Sequence, residues 1–172
     1  MPRHRYFYQT KARAALADPS RMMERQLSWA SNFASAPFVL EGKRWPTSEH
    51  YYQAAKFART DPEYAERIRA CKAAVFAARM GRVQTHRVSP TWDAEKDDAM
   101  RRALAAKFEQ NPALRRKLLD TGDDVLHEDA GTRDLYWGIG TPERPGCDKL
   151  GRMLMEIRTA LCGDSDVVDD EE

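Results

Sequence analysis

An acid, an amide and an amine share one stripe of a predicted helix. In the segment 45–57, WPTSEHYYQAAKF, Gln53 lies about 40° around the helix from Glu49, and Lys56 lies about 20° on the other side. A buried glutamate and a buried lysine both require polar partners. The plainer interpretation is an ion pair that anchors the helix, and the alternative is a pocket that both residues line.

Glu49 and Lys56 are the groups that could do the chemistry of such a pocket. Glu49 falls in the first turn of the predicted helix, where the helix dipole favours its anion, whereas burial favours its neutral acid. These opposing effects suit a general acid/base, which must both give and take a proton. Burial would lower the pKa of Lys56 and the charge of Glu49 would raise it, and a neutral amine can attack a carbonyl or imine carbon.

Aromatic and polar residues elsewhere suit ligand binding, each with a plainer structural alternative. Tryptophans can stack on a base but are usually part of a core, and the candidates are Trp45, Trp92 and Trp137. Asn32 and Phe33 form a polar and aromatic pair, although Asn32 could equally be a turn residue. His50 is a candidate because it lies within the dense motif.

A loop and an arginine cluster complete the set of candidates. Asp134 precedes the sequence WGIG, in which Gly138 could let the backbone approach a ligand, and an ordinary loop is the alternative. Arg79 lies near Arg82 and Arg87 in a cluster that could meet a phosphate or remain solvated. The four histidines lack the spacing of metal ligands, and no dinucleotide-binding or P-loop motif occurs, so we expect no metal site.

Local signals place these residues on a mostly helical chain. Residues 37–46 predict a short hairpin that turns at Glu41–Gly42, and a helix should follow from Thr47 or Ser48 to about Arg59. Another helix should start at Asp61–Pro62, and Gly81 should end the helical stretch that precedes it. Two more helices should run from Pro90–Thr91 to about Asn111 and from Asn111–Pro112 to Thr121–Gly122. Asp148 should cap the last helix.

Helical periodicity predicts the core faces of two of these helices. The long helix should bury Ala99, Met100, Ala103, Leu104 and Phe108, and the last helix should bury Leu150, Met153, Leu154, Ile157 and Leu161. Residues 6–8 could form a short strand, and residues 123–147 are predicted to be rich in loops. The predicted fold class is therefore α+β, predominantly helical and single-domain, with a small β element.

Composition limits the classes of protein that the chain can represent. A chain of 172 residues and 19.7 kDa, 42% hydrophobic and 32% charged, suits one compact domain and excludes a disordered or fibrous protein. No apolar run approaches the roughly 20 residues of a membrane helix. The first residues do not resemble a signal peptide, and three widely spaced cysteines suit reduced thiols, so we expect a cytoplasmic protein without membrane association.

The charge distribution is asymmetric. The net charge is +1, and residues 164–172 contribute −6, which leaves +7 for residues 1–163. A basic body suits a partner or substrate that carries phosphate, whereas a solvated surface of mixed charge is an equally good interpretation. We predict a basic, partly ordered segment at 1–28, a domain at 29–162 and an acidic disordered tail at 163–172.

The motifs resemble those of the NADAR family, the YbiA-like N-glycosidases. The resemblance covers residues 29–161, and the string from Trp45 to Phe57 is its most specific part. Further matching segments are Ser31–Phe33, Ala78–Arg82, Met100–Phe108, Leu118–Gly122, Asp134–Gly138 and Leu150–Arg158. One departure is Asp148, where the family usually has asparagine, because an inward carboxylate there would repel a phosphate.

The resemblance implies a fold, an activity and a set of site residues. Members of the family share a compact, mostly helical α+β domain without metal or organic cofactor, and cleave bonds between a ribose and an exocyclic amine. The family's essential glutamate corresponds to Glu49, and the lysine of its motif corresponds to Lys56. The implied pocket residues are Asn32, Phe33, Trp45, Gln53, Trp92, Asp134 and Trp137.

Several hypotheses about substrate and mechanism follow. ADP-ribosylated guanine, free or within DNA or RNA, is the favoured substrate, and a phosphoribosylamino-pyrimidine of riboflavin synthesis is the alternative. Glu49 could protonate the ring oxygen so that Lys56 forms a Schiff base with the sugar, while Asp134 holds a ribose hydroxyl or steers water. Glu49 could instead assist direct attack by water. The rival class is a non-catalytic module that binds ADP-ribose or a related nucleotide, and a weaker one is a nucleic-acid-binding protein.

Overall fold

A computed structural model describes residues 1–7 and 25–163 of the chain, and only the backbone of residues 25 and 26. The described residues form four strands and six α-helices. The strands are β1 (His4–Phe7), β2 (Phe38–Leu40), β3 (Lys43–Trp45) and β4 (Val125–Glu128). The α-helices are α1 (Ser48–Ala55), α2 (Pro62–Arg69), α3 (Ala74–Met80), α4 (Trp92–Gln110), α5 (Pro112–Leu119) and α6 (Lys149–Gly163). This confirms a predominantly helical α+β fold with a small β element.

The chain divides into two compact units. One unit is Asn32–Asn111 and contains β2, β3 and α1–α4. The other combines the described parts of Met1–Ser31 and Pro112–Glu172, and contains β1, β4, α5 and α6. The predicted tail at 163–172, beyond Gly163, and most of the predicted segment at 1–28 lie outside the described residues, so those boundaries stay predictions.

The first unit begins with the predicted hairpin. Strands β2 and β3 pair antiparallel, with Phe38 opposite Trp45. Glu41 and Gly42 connect them with φ angles of 54° and 72°. Two consecutive residues with positive φ are typical of the two-residue turn whose twist matches that of the flanking strands. The predicted turn is therefore confirmed.

Helix α1 begins where its cap predicts. The Thr47 side chain accepts a hydrogen bond from the backbone N–H of His50, as an N-cap residue should. The helix ends at Ala55 rather than near Arg59, because the next backbone bonds tighten to three-residue turns, such as that from the N–H of Phe57 to the carbonyl of Ala54. Seven of the eight residues of α1 are buried, and the helix packs against α2, α3 and α4.

The other helices of this unit also follow their local signals. The Asp61 side chain accepts from the N–H of Tyr64 at the start of α2, and Gly81 is the C-cap of α3. The five residues predicted to form the core stripe of α4 are all buried, with Phe108 fully enclosed. The predictions for α2, α3 and α4 are confirmed.

The second unit contains a strand that the sequence analysis missed. Strand β4 lies within the stretch predicted to be loop, and it pairs parallel with β1, with His4 opposite Val125. Strand β1 confirms the short strand predicted at 6–8, although it starts two residues earlier and Tyr8 lies outside the described residues. Residues 123–147 are otherwise rich in loops and turns, as predicted, and β4 is the element within them that was missed.

Asp148 precedes α6 but its carboxylate bonds to β4. Its Oδ1 accepts from the backbone N–H of Glu128 at 3.0 Å, and its Oδ2 lies 2.6 Å from Nδ1 of His127. The residue adopts a φ of 47°, outside the extended region usual for an N-cap. The predicted side-chain cap of α6 is corrected on these grounds, whereas the five predicted core residues of α6 are buried as expected.

Candidate active site

The Glu49 carboxylate is buried in the first unit and held by two amides. Its side chain lies on the first turn of α1 and is 4% exposed. Gln53, one turn later, donates from Nε2 to Oε1 of Glu49 at 2.7 Å. Asn32 approaches the other oxygen, Oε2, with its Nδ2 at 3.5 Å, and its backbone carbonyl accepts from the N–H of Glu49 at 3.2 Å.

Opposing effects act on the ionisation of Glu49. Burial raises the pKa of Glu49 above its ordinary value, because the charged form loses hydration. The hydrogen bonds from Gln53 and Asn32 and the positive charges of Lys56 and Arg82 oppose this rise. Burial prevails, so a larger fraction of this carboxyl is protonated near neutral pH than of an exposed glutamate.

Lys56 follows the last residue of α1, on the stripe that carries Glu49 and Gln53. Its Nζ donates to the backbone carbonyl of Gly81 at 3.2 Å and lies 5.3 Å from the ring centre of Tyr52. Burial and the charge of Arg82 lower the pKa of Lys56 to about 8, although Glu49 acts to raise it. About a tenth of an amine with this pKa is neutral at pH 7, against less than a thousandth at the ordinary value.

Arg82 is a charged neighbour that the set of predicted site residues did not include. It follows Gly81 directly, and its positive charge lowers the pKa of both Glu49 and Lys56. The predicted residue was Arg79, which is exposed and has its guanidinium 5.9 Å from the ring centre of Phe76. The sequence did signal an arginine cluster, but only the packing of α3 on α1 distinguishes its members.

Two buried amide oxygens beside Glu49 have no hydrogen-bond donor within the described part of the chain. They are Oδ1 of Asn32 and Oε1 of Gln53. An orphaned buried acceptor costs free energy unless a donor reaches it. A protonated Glu49 or a hydroxyl or amine of a ligand could supply such donors.

Phe33, next to Asn32 in the chain, is half-buried.

His50 is engaged by its own surroundings. Its Nε2 lies 3.1 Å from the carbonyl of Cys71, which can only accept, so Nε2 carries the proton. Its Nδ1 lies 2.8 Å from the hydroxyl of Thr47, which therefore donates to it. Burial lowers the pKa of His50, consistent with this neutral form. Both ring nitrogens hold the start of α1, and neither is left for a substrate.

Trp45 and Trp92 line a cavity to which neither Glu49 nor Lys56 contributes. This cavity of about 450 Å³ lies against Tyr51, Ala54 and Ala55, which point away from the stripe of Glu49. Trp45 also donates from its indole N–H to the carbonyl of Leu40 and packs edge-on against Tyr51. Trp92 packs edge-on against Tyr52, whose ring centre lies 5.3 Å from Nζ of Lys56, so one aromatic ring separates Trp92 from the amine.

The remaining predicted residues belong to the second unit. Asp134 Oδ1 accepts from the backbone N–H groups of Tyr136 and Trp137, and these hydrogen bonds form an Asx turn. Trp137 is buried against Tyr136. A Cβ on Gly138 would lie 2.9 Å from both the Ala130 Cβ and the Asp134 carbonyl oxygen, so the turn has no space for a larger residue. The roles of these residues toward a substrate stay predictions.

Two negative findings concern residues 1–7 and 25–163. No three of their histidine, cysteine, aspartate or glutamate side chains are arranged to hold a metal ion. None of the helices in this part of the chain is both long and apolar enough to cross a membrane.

Comparisons with known proteins give a consistent result. A family model described as the NADAR domain matches residues 6–162. N-glycosidase YbiA of Escherichia coli (strain K12) is 46% identical over 131 residues, which is 76% of this chain and 79% of that protein. N-glycosidase Npun_R5314 of Nostoc punctiforme is 37% identical over 76% of this chain and 83% of its own length.

Two further similarities concern a plant protein and a solved structure. The chloroplastic riboflavin biosynthesis protein PYRR of Zea mays is 41% identical over 127 residues, which is 69% of this chain and 20% of that protein. The NMR structure of E. coli YbiA matches with a TM-score of 0.75 at 35% identity, and the match covers 100% of this chain and 92% of that one.

Proposed function

The chain belongs to the NADAR domain family of N-glycosidases and is a hydrolase, and we propose that it cleaves the bond between a ribose and an exocyclic amine, with ADP-ribosylated guanine as the favoured substrate. The observation that carries this proposal is the stripe of α1 on which a buried acid, Glu49, and a partly neutral amine, Lys56, flank the amide of Gln53. An acid and a nucleophile together suit the opening of an aminal.

The first route uses both groups covalently. Protonated Glu49 donates its proton to the ring oxygen, and the C1–O bond breaks to leave an iminium between C1 and the exocyclic nitrogen. Neutral Lys56 adds to C1 and transfers a proton to that nitrogen, whose bond to C1 then breaks. Water adds to C1 of the resulting protonated Schiff base, and the bond between C1 and Nζ of Lys56 breaks. This releases the sugar as its aldehyde, restores the neutral amine and returns one proton to Glu49.

The second route needs no bond to the protein. Glu49 assists the attack of water on an oxocarbenium-like C1, and Lys56 acts only through its charge. Borohydride distinguishes the two routes, because it reduces a Schiff base to a stable secondary amine. In the first route, borohydride during turnover should leave a sugar adduct on Lys56 that mass spectrometry detects. An active enzyme that never forms such an adduct would exclude the first route.

Charge supports a substrate that carries phosphate. Arg82 acts electrostatically on both Glu49 and Lys56. Residues 1–163 carry a net charge of +7. ADP-ribose offers two phosphates to such a surface. The similarity to a protein named for riboflavin biosynthesis supports the second candidate, a phosphoribosylamino-pyrimidine.

The test compares wild-type protein with Glu49→Gln on ADP-ribosylated guanosine. Mass spectrometry should detect free ADP-ribose with wild-type protein and none with the variant. Glu63→Gln is the matched control, because Glu63 also lies in the first turn of a helix, α2, but is exposed. Binding without release by wild-type protein would favour a non-catalytic module for this ligand, and release only from the pyrimidine would favour the second candidate.

A further inference from the structure

Gly81 lies beside both Lys56 and Gln53 in the candidate site. It is the buried C-cap of α3, and its carbonyl accepts from Nζ of Lys56. A Cβ built on Gly81 would lie 1.8 Å from Oε1 of Gln53 and 2.6 Å from its Cδ, distances at which no Cβ can exist. The amide of Gln53 therefore occupies the space that any other residue at position 81 would need for its side chain.

Backbone conformation does not explain the glycine. Gly81 has a φ of −63°, which every L-residue adopts freely, unlike Gly42 and Gly122 with positive φ. A helix C-cap with this φ does not require glycine either. The space occupied by Gln53 is therefore the structural reason for glycine at this position.

We propose that Gly81 is a positioning residue, whose missing side chain fixes the Gln53 amide against the Glu49 carboxyl. The amide is confined on one side by Gly81 and donates on the other to Oε1 of Glu49 at 2.7 Å. Its oxygen has no donor among residues 1–7 and 25–163, so contact with Gly81 rather than a second hydrogen bond from these residues sets its orientation. The proposal rests on the role of Glu49 in the proposed function.

The consequence of Gly81→Ala follows from this geometry. The new methyl group would displace the amide and remove the hydrogen bond that stabilises the charged form of Glu49. The charges of Lys56 and Arg82 would remain and continue to lower the pKa of Glu49. Because a hydrogen bond to a charged group is worth roughly one pKa unit or more, the pKa of Glu49 should rise by about one.

The test is a double-mutant cycle of Gly81→Ala and Gln53→Ala. Carbon-13 NMR of protein labelled at the glutamate carboxyl carbons reads the pKa of Glu49, and Glu49→Gln assigns its resonance. Gly81→Ala should raise this pKa in the wild-type background and leave it unchanged beside Gln53→Ala. In the double variant, the remaining close contact is between the new methyl group and the Cβ of residue 53, at 3.0 Å. A small shift relieves this contact. Gly163→Ala is the control, since a Cβ there meets nothing within 4 Å.

Each outcome decides the inference. An unchanged pKa in Gly81→Ala, or an equal rise in the Gln53→Ala background, would overturn it. If Gly81→Ala fails to fold, recovery of folding in the double variant supports the clash with Gln53, and failure of the double variant overturns it. The titration needs no substrate, so a wild-type protein without glycosidase activity would refute the proposed function while leaving this result readable. Where activity is present, kcat of Gly81→Ala should fall about ten- to a hundredfold because Glu49 loses the amide that positions it. The limb of the pH profile that Glu49 sets should move upward with the NMR pKa, and this is the alkaline limb if Glu49 acts as an acid and the acidic limb if it acts as a base.

Discussion

The buried amine of Lys56 should make the stability of the protein depend on pH in a definite window. The pKa of Lys56 is about 8 in the folded chain, against 10.5 for an ordinary lysine. Between these values the unfolded chain binds more protons than the folded one, so stability rises with pH. Below pH 8 the full cost of burying the ammonium is present, and above pH 10.5 it is absent.

The size of the effect follows from the pKa difference. At about 1.4 kcal/mol for each pKa unit, the lowered pKa corresponds to roughly 3 kcal/mol, and the partial exposure of Lys56 reduces this to about 2 kcal/mol. Lys56→Met has no group that titrates here. As the pH rises from 8 to 10.5, the free energy of unfolding of wild-type protein should therefore increase by about 2 kcal/mol relative to that of Lys56→Met.

Urea unfolding monitored by tryptophan fluorescence measures this difference at several pH values. Tyrosines also titrate in this range, but they do so in both proteins and cancel in the comparison. Lys72→Met replaces an exposed lysine and should change the unfolding free energy by no more than about 0.5 kcal/mol. Parallel stability curves for wild type and Lys56→Met would show that the pKa of Lys56 does not change on folding. In a Glu49→Gln background the rise in stability should begin below pH 8, because Glu49 raises the pKa of Lys56.

Two further predictions concern the hydrogen bonds made by the side chains of Thr47 and Asp148. Thr47→Ala should lower the free energy of unfolding by about 2 kcal/mol, because it removes both the cap of α1 and the donor to Nδ1 of His50. Thr47→Ser should restore most of it in urea unfolding, and equal losses in the two variants would contradict this account. Asp148→Ala should cost about 2 to 3 kcal/mol in the same assay, because His127 and the backbone N–H of Glu128 lose their acceptor. Asp148→Asn should cost less, since asparagine keeps one acceptor and tolerates positive φ. An Asp148→Ala variant as stable as wild type would show that the carboxylate does not stabilise the fold.

The elements that the sequence predicted correctly depend on local chemistry. A cap such as Thr47 or Asp61 acts on a backbone group only three residues away, so the signal and the structure it sets lie within one turn. The stripe of Glu49, Gln53 and Lys56 likewise depends only on the helical repeat. Local rules of this kind can be applied to any segment without knowledge of what packs against it.

The elements that were missed depend on distant partners. Strand β4 has four residues and pairs with β1, about 120 positions away, so no local pattern marks it. Asp148 has the type of an N-cap residue, but β4 offers its carboxylate better donors. The same limit applies to Trp45 and Trp92, because residue type indicates an aromatic wall without indicating which side of α1 it faces.

The paired shifts of Glu49 and Lys56 bear directly on the covalent route, which requires both groups in their neutral forms. Ordinary glutamate and lysine have pKa values of 4.5 and 10.5, so converting their ion pair to the neutral pair costs roughly 8 kcal/mol. Here the pKa of Glu49 is raised and that of Lys56 is lowered to about 8, which reduces this cost to less than about 5 kcal/mol. Burial drives both changes, so the desolvation that destabilises the fold also makes the reactive protonation state accessible. A substitution that hydrates this pocket while keeping both side chains should therefore stabilise the protein and slow the covalent route together.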